Sequence, residues 1–249
     1  MKIGILTAMP EEFNAAAASL GSFEMTRCGT FRVGQYHSGT HEFILLQTGM
    51  GLKNAADATE LLVREFHPEL LISTGFCGAI TGGITVGDSV VAEQIYIADG
   101  AGCEEIPVHL SASGQAIALH QITGNKRVVA GIFVSTAVIT SKAHLTEMLP
   151  LQQRTMTVDM ESGAIAIVAA EHNIPLLALR TVSDGASEEL GFSLHEFCDD
   201  DLRRIRPHKV LLTLLRKPQI IPQLIRLAGG SRRAAENLTA TLSHLFSTL

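Results

Sequence analysis

"VDMESGAIAIVAAEHNIPLLALRTVSDGA" (158–186) places a helix, a stop and a strand in immediate succession. Ile165, Ile167, Val168, Ala169 and Ala170 predict a buried helix over 159–172. Pro175 cannot continue that helix and leads into "LLALRTVS" (176–183), which is apolar at successive positions instead of alternating. A strand of that kind has both faces covered, as in the centre of a sheet flanked by helices. The polar front of the helix, Asp159, Glu161 and Ser162 around Met160, has an ordinary explanation. Asp159 suits a cap, and Glu161 suits the first turn, where the helix dipole favours a carboxylate.

The same pattern extends outward. Apolar runs recur at "IGIL" (3–6), "FILLQT" (43–48), "LLIST" (70–74), "SVVAEQIYI" (89–97) and "AGIFVST" (130–136). Helical patterns fall at 52–66, 142–149, 195–205 and 232–247. This alternation predicts an α/β fold: one domain over 1–249 with a central mixed, mostly parallel sheet flanked by helices. The segment 203–249 differs, because Arg and Lys alternate there with aliphatic residues. It reads as a helical basic and apolar extension, either packed on the domain or facing a lipid-like partner, with Pro218 and Pro222 breaking any long helix.

Of the 249 residues 46% are hydrophobic and 18% charged, with a net charge of −6, so the chain can bury a large core and has no global attraction to nucleic acid. Cys28, Cys77, Cys103 and Cys198 are widely spaced, which points to reduced thiols, not to a disulfide frame or a zinc site. No run approaches the roughly 20 apolar residues of a membrane span, and the N-terminus lacks the run of a signal peptide. A cytoplasmic protein is expected, with peripheral contact at the inner membrane face as the variant suggested by 203–238.

Several polar positions interrupt these elements. "TGMGLKNA" (48–55) has Asn54 where a dinucleotide fingerprint needs a third glycine, and "STGFCGAITGG" (73–83) lacks the Lys-Ser/Thr of a P-loop. The second stretch reads as a glycine-rich loop after a buried strand, able to bring backbone N–H groups to a ligand. Glu11 and Glu12 follow Pro10 in "TAMPEEF" and fit a helix start. Asp184 follows a central strand, at the sheet edge where open α/β folds bind ligands, although an Asp there also suits a turn. The ten histidines have no metal-ligand spacing, and no metal or cofactor is expected.

The order of these motifs carries more than any one of them. "MKIGILTAMPEEF", "TGMGLKNAADAT", "TGFCGAITGGITVGDSVVAEQI", "VDMESGAIAIVAA" and "LRTVSDGA" together resemble the purine nucleoside phosphorylase/nucleosidase superfamily over residues 1 to about 187. The nearest branch is the 5′-methylthioadenosine/S-adenosylhomocysteine nucleosidase-like hydrolases. The resemblance implies that Glu12 activates a water and Asp184 gives a proton or hydrogen bond to purine N7, with Ser183 beside it. It implies that Met160 packs on the ribose, that Glu161 binds its hydroxyls, and that Gly75, Phe76 and Gly78 lie beneath it. Ile139, in "STAVITS" (135–141), stands where those enzymes place an aromatic against adenine.

The expected reaction is hydrolysis of the N-glycosidic bond of a 5′-substituted adenosine to release adenine. Phosphorolysis is the alternative, but "TAMPEEF" carries glutamates where family phosphorylases carry an arginine for phosphate. The non-enzymatic alternative is a nucleoside-binding or membrane-associated protein, which would have no need of Glu12. The tail "LLRKPQIIPQLIRLA" with its Arg-Arg-Ala-Ala run is similar to tails of hopanoid-pathway members, which implies a lipid-linked, adenosylhopane-type substrate beside the soluble type. The family also implies a homo-oligomer, with "GCEEIPVHL" (102–110) as the wall offered to a neighbouring chain.

Overall fold

Short apolar runs become strands here because helices cover both of their faces. The computed structural model describes residues 1–21, 24–100, 102–111, 122–123, 126–149, 154–199, 201–202 and 206–249. Among the described residues eleven strands form: β1 (Lys2–Thr7), β2 (Glu24–Cys28), β3 (Phe31–Ser38), β4 (His41–Gln47), β5 (Leu70–Ala79), β6 (Ser89–Ala98), β7 (Cys103–Glu105), β8 (Ile122–Thr123), β9 (Lys126–Thr136), β10 (Met156–Asp159) and β11 (Leu176–Asp184). The helices are α1 (Pro10–Leu20), α2 (Leu52–Phe66), α3 (Lys142–Met148), α4 (Ser162–Glu171), α5 (Pro207–Arg216) and α6 (Ile221–Thr248).

The main path of the sheet runs β10-β9-β6-β11-β5-β1-β4-β3-β2. Its central strands β11, β5, β1 and β4 are parallel, and the β2–β3–β4 meander extends one side antiparallel. The far end of β5 also pairs antiparallel with β10, Ala79 with Thr157 and Gly78 with Val158, which closes β5, β11, β6, β9 and β10 into a ring. That closure brings β10 and its turn beside the C-terminal half of β5, which β11 flanks on its other side.

One sheet face is covered by α2 and α4, through Ala55, Ala58 and Leu62 of the first and Ile165, Val168 and Ala169 of the second. The other face is covered by α1 and α6, through Phe13 and Ala16 against Leu238, Leu242 and Leu245. Truncating any of these leucines to alanine removes about 2–5 kcal/mol of stability. Gly230 of α6 lies directly on β11: a Cβ there would come within 2.0 Å of the Ser183 carbonyl oxygen.

Three expectations change. The glycine-rich run Gly75–Gly78 is strand, not loop: β5 continues through it, because β11 and β10 supply hydrogen-bonding partners on either side. The helical pattern at 195–205 reduces to a 3-10 turn at Leu194–Glu196, and residues 200 and 203–205 lie outside the described residues. The prolines of the C-terminal segment do not prevent a long helix. Pro218 starts a short 3-10 turn, and Pro222 sits in the first turn of the 28-residue α6, where no intrahelical N–H bond is lost.

Candidate active site

Glu12 lies in the first turn of α1 and is buried. Its Oε2 accepts the N–H groups of Ala8 and Met9 at 2.8 and 2.9 Å, and its Oε1 accepts the N–H of Phe76 at 2.7 Å. The helix start and strand β5 thus hold one carboxylate from two directions. Burial raises the Glu12 carboxyl above its ordinary value, while the Arg180 guanidinium and those three N–H groups pull it down. A carboxylate raised in this way is suited to taking a proton near neutral pH.

Arg180 organises the neighbouring groups. It lies in the middle of β11, is 1% exposed, and pairs in register with Gly75 of β5. Its Nε donates to Asp159 Oδ2 at 3.0 Å, and its Nη2 lies 3.8 Å from Glu161 Oε2. Its buried Nη1 has no hydrogen-bond partner. That atom would stand 2.3 Å from a Cβ on Gly75, and Glu12 Oε1 would stand 2.5 Å from it. The absence of a side chain at Gly75 therefore lets an unpaired donor and a raised carboxylate both stand close against the β5 backbone, a pair able to hold a water by one group and deprotonate it by the other.

The turn from β10 into α4 is both cap and site. Asp159 Oδ1 accepts the N–H groups of Glu161 and Ser162, each at 3.2 Å, so Asp159 fixes the first turn as a cap would. Glu161 turns the other way, and its Oε1 accepts the Gly51 N–H at 2.9 Å. Burial raises the Glu161 carboxyl to about 7, with Arg180 opposing and the carboxylates of Asp159 and Glu12 adding to the rise. Burial also pushes the Cys77 thiol well up, which excludes a resting thiolate nucleophile beside these groups.

Asp184 is the last residue of β11, paired with Gly78. Gly78 lies three residues along β5 from Gly75, about 10 Å at the rise of a strand. Ser183 Oγ donates to Asp184 Oδ1 at 2.7 Å. Asp184 Oδ2 faces Lys142 Nζ at 2.5 Å, and the same ammonium donates to the Gly185 carbonyl at 2.7 Å. A cavity of about 100 Å³ opens beside this pair, walled by Ile139, Met160, Val158 and Thr136. Glu189 fixes the start of α3, and with it Lys142, by accepting the N–H groups of Lys142 and Ala143 at 3.1 and 3.2 Å.

Two larger cavities reach the Glu12 end. One of about 750 Å³ runs from Ala8, Met9 and Met50 out to Arg27, Arg32 and Arg206. The other, about 660 Å³, is an apolar groove between α1 and α6, from Met9 and Phe76 to Leu224, Leu227 and Ala228.

The candidates from the sequence thus fall into two groups beside β5 and β11. Glu12, Glu161, Gly75 and Phe76 gather around Arg180, while Asp184, Ser183, Gly78, Met160 and Ile139 gather around the smaller cavity. Sequence reasoning missed Arg180 and Lys142. Both carried a signal: an arginine inside an otherwise apolar central strand needs buried partners, and a lysine at the first position of a helix opposes the dipole. Among the described residues, no group of His, Cys, Asp and Glu is arranged to hold a metal ion.

Known proteins resemble this chain in sequence and in fold. The 5′-methylthioadenosine/S-adenosylhomocysteine nucleosidase of Listeria monocytogenes is 31% identical over 216 residues, covering 79% of this chain and 92% of that protein. The fold is shared with the nucleosidase of the same name from Neisseria meningitidis, solved with methylthio-immucillin-A, at a TM-score of 0.75 and 21% identity over 100% of this chain and 99% of that one. It is shared as well with a futalosine hydrolase mutant of Helicobacter pylori, at 0.74 and 18% over the whole of both chains. The model of the phosphorylase superfamily matches residues 2–216, and the chain belongs to that family.

Proposed function

We propose that the protein is a purine nucleoside N-ribosyl hydrolase that releases adenine from a 5′-substituted adenosine. The observation that carries this reading is the buried Glu12 carboxyl and the unpaired Arg180 Nη1, both drawn close against Gly75. Glu12 takes the proton of a water there as the water attacks C1′. Glu161 binds the ribose hydroxyls and stabilises the cationic sugar of the transition state, with Met160 packed on the ring. Asp184 meets N7 of the departing purine, whose negative charge must be neutralised for the bond to break.

The same cluster favours water over phosphate. Arg180 brings one positive charge, while Glu12, Asp159 and Glu161 surround it with three carboxyl groups. A phosphate dianion entering there would meet net repulsion. The test is product analysis with 5′-methylthioadenosine in the presence and absence of phosphate. Free 5-methylthioribose in both conditions supports hydrolysis, and 5-methylthioribose 1-phosphate formed only with phosphate would overturn it.

A lipid-linked adenosyl substrate of the adenosylhopane type is the second reading, supported by the apolar groove from Phe76 to Leu227. On α5 and at the start of α6, Leu211, Leu215 and Ile225 are 61, 72 and 68% exposed, with Arg216 and Arg226 adjacent in sequence. An amphipathic, basic surface of this kind suits the boundary of an anionic membrane, although no helix among the described residues is long and apolar enough to cross one. The soluble and lipid-linked substrates share the adenosine end and differ in the cavity that takes the 5′ group. In keeping with the family resemblance we also propose a homo-oligomer in which 102–110 faces a neighbouring chain, to be tested by light scattering.

A further inference from the structure

The position of Lys142 does not fit a site in which Asp184 alone is the acid. Both Asp184 oxygens are engaged by donors: Oδ2 by the Lys142 ammonium at 2.5 Å and Oδ1 by the Ser183 hydroxyl at 2.7 Å. A carboxylate held in this way accepts hydrogen bonds and has no proton of its own to give. Lys142 is 4% exposed, so its charge is directed at Asp184 and the Gly185 carbonyl and not at solvent. Gly78 is what lets the pair stand at the cavity, because a Cβ there would fall 2.6 Å from Asp184 Oδ2 and 3.1 Å from Lys142 Cε. The groups facing the pair are Glu189 from the loop after β11, which binds the α3 backbone, and Asp159, which is committed to Arg180.

We infer that Lys142 is the source of the proton that the leaving purine takes through Asp184. This rests on the nucleosidase reading and adds a residue to it. As the C1′–N9 bond breaks, both of its electrons go to the purine. Lys142 Nζ gives a proton to the Asp184 carboxylate, which passes it on to N7, and the water oxygen bonds to C1′ as its proton passes to Glu12. Asp184 ends as a carboxylate and Lys142 as a neutral amine, so the positive charge lost at Nζ cancels the negative charge of the purine. Solvent returns a proton to Lys142 once the products leave. Lys142 acts through Asp184 and is a positioning residue with respect to the substrate.

Arginine separates this role from a purely electrostatic one, since it keeps the charge but does not release a proton. The experiment compares wild type, Lys142→Arg and Lys142→Met on two substrates, 5′-methylthioadenosine and a 4-nitrophenyl riboside. Nitrophenolate leaves as a stable anion and needs no proton, so it reports on the rest of the site and on folding. The ratio of adenine release to nitrophenolate release is expected to fall about 100-fold in both variants, the size of a lost acid. A ratio in Lys142→Arg within a few-fold of wild type would show a charge role only and overturn the inference. Equal loss on both substrates would show a structural role and overturn it as well. Wild-type protein that releases no adenine would remove the nucleosidase reading itself, an outcome distinct from an unmoved ratio in an active enzyme.

Discussion

Gly75 and Arg180 face each other across β5 and β11, and the lack of a side chain on the glycine lets Arg180 Nη1 and the Glu12 carboxylate both approach its backbone. Gly75→Ala drives a methyl group against Arg180 Nη1 and Glu12 Oε1 and pushes both out of place. Adenine release is expected to fall about 100-fold or more, as for other displacements of roughly 1 Å in reacting groups. Far-ultraviolet circular dichroism should remain that of the wild type. Activity within tenfold of wild type would move the nucleophile site elsewhere.

Glu12→Gln keeps the size of the side chain and removes the base. Hydrolysis should fall by about 10²–10⁴-fold, while a non-hydrolysable adenosine analogue still binds by calorimetry. A variant with full rate would take water activation away from Glu12.

Asp184→Ala strands the Lys142 ammonium in the interior, which costs about 3–5 kcal/mol for a buried pair broken on one side. The double variant Asp184→Ala/Lys142→Met should regain most of that stability in urea denaturation and none of the adenine release. A single variant as stable as wild type would show that water reaches the pair.

The raised Glu161 carboxyl has consequences for pH. Its folded value of about 7 lies above the ordinary 4.5, so the folded protein holds a proton there that the unfolded chain gives up. The resulting stabilisation is full below about 4.5 and is lost as pH rises through about 7. Wild type should therefore lose stability relative to Glu161→Gln between pH 5 and pH 7.5, read from thermal melts of both. Activity should move the opposite way, rising through about 7 as the ribose-binding carboxylate ionises. Parallel stability curves for the two proteins would contradict the shift.

The exposed Leu215 and Ile225 should carry binding to vesicles. Sedimentation with vesicles rich in phosphatidylglycerol is expected for wild type and lost in Leu215→Glu/Ile225→Glu, with turnover of 5′-methylthioadenosine unchanged. No sedimentation of wild type would remove the membrane-surface reading.

The parts of the fold with strong hydrophobic patterns were legible in the sequence. β11 stands out because it is buried along its whole length, β4 and β6 because each holds a run of four buried residues, and α2 agrees with its pattern from Leu52 to Phe66. The β2 strand was not legible, since Glu24, Met25, Thr26 and Arg27 are all exposed and give no period. The Gly75–Gly78 stretch looked like a loop because glycine signals a turn locally. In the folded chain those glycines make room for Arg180, Glu12, Asp184 and Lys142, all remote in sequence. Pairings such as Lys142 with Asp184, 42 residues apart, come from the closure of the ring and not from any local pattern.

Gly230 sets a condition on grafting C-terminal tails. Its backbone presses on the Ser183 carbonyl, next to the residue proposed to meet the purine. A chimera that carries the final helix of a relative, built to exchange one 5′-group preference for another, must bring a position without a side chain at that contact. Otherwise the helix tilts off β11, and the change meant for the outer end of the groove is felt at the purine.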